Sequence, residues 1–150
     1  MIELVPLQLK YCEDVEKIAK ECLPEHWSLA GIQDVLRYDN NIFYIAKDIE
    51  RGSVIGFVGT MVIVDEAELL NIAVTSAYRK QGIGQQLLDR VVDESKKRGA
   101  NRLLLEVRRS NLSAIAFYQK NQFVQIGERK NYYAKPLEDA IIMEKPLLVV

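Results

Sequence analysis

Arg79-Lys80-Gln81-Gly82-Ile83-Gly84 places two cations and two glycines between an apolar run, Leu69-Leu70-Asn71-Ile72-Ala73-Val74, and a helical pattern beginning near Gly84. Such a stretch can seat a phosphate group. A helix start leaves backbone N–H groups without partners and carries partial positive charge, and glycines let a ligand approach that backbone closely. A Walker A loop is excluded, because no glycine is followed at the required spacing by Gly-Lys and a Ser or Thr. A dinucleotide fingerprint begins correctly at Gly82-Ile83-Gly84, with Glu106 placed as a ribose ligand, but Leu87 stands where its third glycine belongs. Three readings remain: a phosphate seat of another kind, the incomplete dinucleotide fingerprint, and a plain helix start that contains two glycines.

The elements around this stretch follow from periodicity. Ile83, Leu87, Leu88, Val91 and Val92 share one face of a helix whose other faces are polar, and Gly99 after Lys96-Lys97-Arg98 marks its end. Before it, the pattern predicts a strand at Ile2 to Val5 and a helix from Tyr11 to Leu23 with Val15, Ile18, Ala19 and Cys22 buried. Ser28 caps a second short helix bearing Ile32, Val35 and Leu36. Strands at Ile42 to Lys47, Val54 to Val64 and Ala67 to Val74 form a meander. After Gly99 come a strand at Arg102 to Val107, a helix at Asn111 to Lys120, and a strand pair at Phe123 to Arg129 and Ala140 to Met143. Tyr132-Tyr133 falls in the loop between that pair.

The 150 residues suit one domain, 1–150, with a sizeable core, and 49% hydrophobic with 27% charged residues is an ordinary globular balance. A net charge of −1 gives no general attraction to nucleic acid or membranes. The start of the chain lacks the basic and long apolar segments of a secretory signal, and no apolar run is long enough to span a bilayer. Cys12 and Cys22 lie in one predicted helix, roughly 15 Å apart along its axis at 1.5 Å per residue, too far to bridge. These features fit a reducing, cytoplasmic location.

The order β-α-α-β-β-β-α-β-α-β-β, with Arg-x-x-Gly-x-Gly after a strand, resembles the GCN5-related N-acetyltransferases (GNAT) over nearly the whole chain. More narrowly, Asn71-Ile72-Ala73-Val74, Leu105-Glu106-Val107-Arg108, Ser110-Asn111 with Ala116 and Tyr118, Arg129-Lys130-Asn131-Tyr132-Tyr133 and Glu138-Asp139-Ala140-Ile141-Ile142-Met143 are similar to the RimI-type ribosomal-protein alanine N-acetyltransferases. The resemblance implies an α/β fold of mixed α+β type: a mixed, mostly antiparallel central sheet with helices on both faces. It also implies acetyl-CoA as cosubstrate and no metal. Ile72, Ala73 and Val74 would pair with the pantetheine arm from a splayed strand edge, and Arg79, Lys80, Gln81, Gly82, Ile83 and Gly84 would hold the pyrophosphate. Asn111 would hydrogen-bond the pantetheine from the opposite side, a role that can coexist with that of a helix N-cap.

For the reaction, an unprotonated amine must attack the thioester and the departing thiolate needs a proton. By resemblance Glu106 is the general base, acting through a water, and Tyr118 the general acid. The chemistry agrees, since a carboxylate accepts a proton at neutral pH and a phenol with reference pKa about 10 can deliver one. The bland alternatives are an arginine partner for Glu106 and a core position for Tyr118 beside Ala114 and Ile115. Glu68, on the strand before the glycine loop, is the competing base, or else faces solvent.

The implied acceptor is a protein N-terminus, an alanine-starting ribosomal protein above all, with lysine side chains, small amines, or a non-catalytic acyl-CoA-binding module as alternatives. An α-amine is easier to deprotonate than lysine by about 2.6 pH units, or roughly 3.5 kcal/mol. Trp27, Tyr132 and Tyr133 would wall the acceptor slot, or simply pack as aromatics. Glu138 and Asp139 would face a basic peptide, or solvent. His26 before Trp27-Ser28, and Thr75-Ser76-Ala77 after the strand, depart from the RimI-type pattern on the acceptor side and at the approach to the glycine loop.

Overall fold

The computed structural model describes residues 1–25 and 27–147. His26, which departs from the RimI-type pattern before Trp27-Ser28, lies outside them. The strands are β1 (Ile2–Pro6), β2 (Asn41–Asp48), β3 (Ser53–Ile63), β4 (Glu66–Val74), β5 (Arg102–Arg108), β6 (Val124–Ala134) and β7 (Leu137–Pro146). The helices are α1 (Cys12–Cys22), α2 (Leu29–Asp34), α3 (Ile83–Lys97) and α4 (Leu112–Lys120). Short 3-10 turns add Leu9–Tyr11, Val35–Arg37 and Ser76–Tyr78.

One sheet runs β1-β2-β3-β4-β5-β7-β6. Every neighbouring pair is antiparallel except β4 with β5. The expected mixed, mostly antiparallel architecture is therefore present. Helical periodicity places the layers: Ile83, Leu87, Leu88, Val91 and Val92 are all buried, so α3 lies against the sheet with its polar face outward. Together with Leu103, Leu105, Tyr118 and Phe123 they form the larger core. A second cluster, built on Val15, Ile18, Ile32, Phe43 and Phe57, gathers the stripes of α1 and α2. Close packing there demands Gly59, since a Cβ on it would sit 2.3 Å from the Phe43 ring.

Two interruptions shape the middle of the sheet. Gly59 pairs with Asn71 and Thr60 with Leu69, so Leu70 is an extra residue, a bulge that bends β4. Beyond it β4 leaves its parallel neighbour. Only Glu66, Ala67 and Glu68 pair with Arg102, Leu103 and Leu104, and from there to Val74 the strands diverge. Arg102, ion-paired with Glu66 and lying 3.4 Å from Glu144, braces the closed end of this split.

The terminal strands are longer than their apolar runs suggested, and Tyr132-Tyr133 belongs to β6 instead of a loop. The sequence signal failed because nearly all of β6 is exposed and its pairing with β7 breaks between Arg129 and Tyr133. Asn131, at φ +52°, turns the backbone within that break. No buried face is left to impose a two-residue period.

Candidate active site

The β4 arm offers mainly backbone. Ile72, Ala73 and Val74 pair with Val58, Phe57 and Gly56 of β3 on one side, and among the described residues no strand pairs with them on the other. The chain then passes through the Ser76–Tyr78 turn to Arg79, Lys80 and Gln81, all exposed. Lys80 at φ +63° and Gly82 at φ +79° adopt left-handed conformations that redirect the backbone into α3. No side chain caps this helix, and its first ladder bond is Gln86 N–H to Gly82 C=O at 3.1 Å, so the preceding N–H groups stay available to a ligand. Beyond the adjacent residues and the helix's own backbone, no heavy atom of the described residues lies within 4 Å of a Cβ built on Gly82 or Gly84. This end can therefore take a bulky anion. Ile83 contributes backbone alone, its side chain being buried.

Arg79 does not arch over the loop. Its Nε donates to the Val74 carbonyl at 3.0 Å and its Nη2 to the Cys22 sulfur at 3.4 Å, tying α1 to the end of β4. Cys22 and Cys12 are free thiols.

The β5 arm is crowded with side chains. Leu103, Leu105 and Val107 are buried in the larger core, which by alternation turns Leu104, Glu106 and Arg108 to the other face. Glu106 Oε1 lies 3.5 Å from Arg129 Nε, while its Oε2 is buried without a partner among the described residues. Tyr132 faces the same carboxylate, and hydrogen bonding to it, then burial, raises the phenol above its usual pKa. Glu68, across the split, is also shifted upward, first by burial and second by the Glu106 charge, with Arg129 opposing. Glu68 thus senses both Glu106 and the arginine that pairs with it.

Tyr118 is buried, packed edge-on to Phe123 at 5.4 Å and tilted against Phe117 at 5.5 Å. Burial, and then the neighbouring Tyr133, push its hydroxyl well above the ordinary phenolic range and keep it protonated. Tyr133 is itself pushed up to about 12, by burial first and Glu106 second. Asn111 caps α4, its Oδ1 accepting from Ala114 N–H at 3.3 Å, which leaves the amide nitrogen of this exposed side chain to reach elsewhere.

Arg108 joins segments far apart in the chain. Its Nη1 donates to the Pro136 carbonyl at 3.0 Å and to Glu138 at 3.1 Å, and its Nη2 donates to the Lys135 carbonyl at 3.1 Å and to Glu25. The Tyr133 ring covers it at 4.3 Å. Glu138 is accordingly a partner of Arg108 and of the Ser110 N–H, and Asp139 accepts from the Asn131 N–H at 2.8 Å. Both acids hold the fold of this wall and are not free for a basic peptide. Trp27 packs on Phe43 with ring centres 5.7 Å apart. In the Asn71 orientation that satisfies both groups, the indole N–H donates to Asn71 Oδ1 at 3.1 Å and the amide donates to the Leu70 carbonyl at 3.0 Å. Trp27 thus pins the α1–α2 connection onto the β4 bulge.

The structure brings Glu106, Glu68, Tyr132 and Tyr133 together and sets the glycine loop at the open end of the β4 arm. Sequence reasoning assigned no part to Arg129, Arg108 or the Asn71 side chain. A usable signal existed for Arg108: Arg102, Glu106 and Arg108 alternate with Leu103, Leu105 and Val107, marking a charged face on an otherwise buried strand.

The profile of the acetyltransferase (GNAT) family matches residues 12–123. The chain belongs to this family. It is 46% identical over 100 residues to the Escherichia coli (strain K12) [ribosomal protein bS18]-alanine N-acetyltransferase, a match covering 65% of the chain and 68% of the relative. It is 41% identical over 137 residues to the putative [ribosomal protein bS18]-alanine N-acetyltransferase of Bacillus subtilis, covering 91% and 90%. The crystal structure of the ribosomal-protein-S18-alanine N-acetyltransferase from E. coli superimposes with a TM-score of 0.90 at 34% identity, over 100% of this chain and 96% of that one. Among the described residues no helix is long and apolar enough to cross a membrane.

Proposed function

We propose that this acetyltransferase acts in the cytoplasm as a single-domain enzyme and transfers acetyl from acetyl-CoA to the N-terminal α-amine of a protein. An alanine-starting ribosomal protein is the acceptor that the relatives favour. The observation that carries the reading is the split between β4 and β5. One arm has unshared backbone leading to an uncapped helix start, and the other carries a half-buried carboxylate with one unpartnered oxygen. A strand-like chain ending in a diphosphate fits the first, and an amine fits the second.

Acetyl-CoA supplies the reactive thioester when bound. Ile72, Ala73 and Val74 line its pantetheine arm, with the Asn111 amide on the opposite side. The residues from Arg79 to Gly84 hold the diphosphate, Lys80 and the N–H groups of α3 nearest it, and no metal takes part. Glu106 accepts the amine proton through a water as the C–N bond forms. Tyr118, held protonated by its surroundings, delivers a proton to sulfur as the C–S bond breaks. Trp27, Tyr132 and Tyr133 bound the acceptor slot.

Purified protein with acetyl-CoA and a peptide panel, read by free-thiol release and product mass, tests the assignment. An alanine-starting peptide is expected to gain one acetyl group at its α-amine. Acetylation of an N-terminally blocked lysine peptide or of a small amine instead would move the acceptor class. CoA binding by calorimetry without turnover of any amine would leave a binding module.

A further inference from the structure

Among the described residues, two buried polar side-chain atoms on the same face of β5, two residues apart, lack partners: the acceptor oxygen Glu106 Oε2 and the donor nitrogen Arg108 Nε. Such groups are costly, and most buried ones are paired. A guanidinium has five N–H donors, and the four on Nη1 and Nη2 of Arg108 match four acceptors: Pro136 O, Glu138, Lys135 O and Glu25. The fork is thus clamped in place, its side chain 10% exposed, with its one remaining donor unused.

We propose that Glu106 and Arg108 read the free end of a peptide as a pair: Glu106 holds the α-ammonium through the water that takes its proton, and Arg108 Nε donates to the carbonyl oxygen of the same residue. This inference rests on the proposed α-amine acceptor and names how it is told from lysine. Side chains two apart on a strand stand about 6.5 to 7 Å from each other. The amine nitrogen and carbonyl oxygen of a first residue are about 3 Å apart, and hydrogen bonds of about 2.9 Å on each side reach farther than the remaining gap, so the bridge fits bent instead of straight. A lysine side-chain amine has no carbonyl at that distance, so it leaves Arg108 Nε unpaired.

The cover over both atoms is displaceable. Tyr133 lies on the Arg108 guanidinium and Tyr132 on that of Arg129, the partner of Glu106; Tyr132 falls within the interrupted stretch of β6 and Tyr133 ends it, just after Asn131 turns at φ +52°. An entering N-terminus exchanges the tyrosine cover for matched hydrogen bonds.

The test compares two alanine-starting peptides, one ordinary and one with the first carbonyl oxygen replaced by sulfur, a poorer acceptor. With the wild-type enzyme kcat/KM is expected to fall roughly five- to twentyfold for the sulfur peptide, the range for weakening a charge-assisted bond, with acetyl-CoA KM unchanged. Arg108→Lys keeps the charge and removes Nε; its preference between the two peptides is expected to collapse and its margin for α-amine over lysine to narrow. Equal wild-type rates on both peptides overturn the inference, as does a full preference kept by Arg108→Lys. The wild-type comparison decides by itself if the variant fails to fold. No acetylation of the ordinary peptide by wild type overturns the proposed acceptor itself, a result distinct from equal use of both.

Discussion

The two arms of the split sheet are built by different means. On the β4 side, Ile72, Ala73, Val74 and the start of α3 present backbone, shaped by a bulge at Leu70 and a left-handed glycine at position 82. On the β5 side, Glu106, Arg108 and the tyrosines of β6 present charged and aromatic groups that hold one another. Backbone recognition tolerates substitution wherever the conformation survives. Side-chain recognition fails one residue at a time.

That contrast breaks first at Glu106. Glu106→Gln is expected to lower kcat by about 10²- to 10⁴-fold, the range for a general base, while CoA affinity by calorimetry stays unchanged. Glu68→Gln, on the other arm, is expected to cost far less; the reverse order would assign the base to Glu68. Tyr118→Phe follows, with kcat reduced roughly tenfold to a hundredfold in rapid-quench assays. Because its surroundings raise the Tyr118 pKa, the protonated acid persists through pH 10, so kcat is expected to show no alkaline loss below that pH that disappears in the Phe variant.

Gly82→Val probes the backbone arm. A branched side chain is disfavoured at φ +79°, and CoA dissociation constants are expected to rise by about tenfold with kcat at saturation little changed. Asn111→Ala removes an N-cap and is expected to cost about 1 kcal/mol in urea unfolding. The smallest stability effect is expected from Arg129→Gln. Its side chain is 58% exposed, so its pair with Glu106 is screened and thermal stability should move by less than about 1 kcal/mol. A larger loss would make this pair a structural brace.

The backbone arm was legible in the sequence because its devices are local. Gly82, Gly84, Arg79 and the periodic helix behind them occur in one stretch, and their spacing carries meaning by itself. Glu106 was legible too, as a charge inside a leucine-rich strand. The rest of the side-chain arm was not. Arg108 meets Glu25, Lys135 and Glu138 only after the chain has folded, and no period links those positions. Tyr132 and Tyr133 looked like loop residues because β6 is an exposed edge strand with a break in its ladder, and the acids at 138 and 139 looked free because their partners lie on other segments.

The parallel seam between β4 and β5, three residue pairs long, makes the molecule a pair of tweezers. The jaw from Glu68 to Val74 extends for about 20 Å at strand rise, so a small rotation at the hinge becomes a larger change in gap at the tips. Arg102, remote from the tips, links β4, β5 and β7 at that hinge through Glu66 and Glu144.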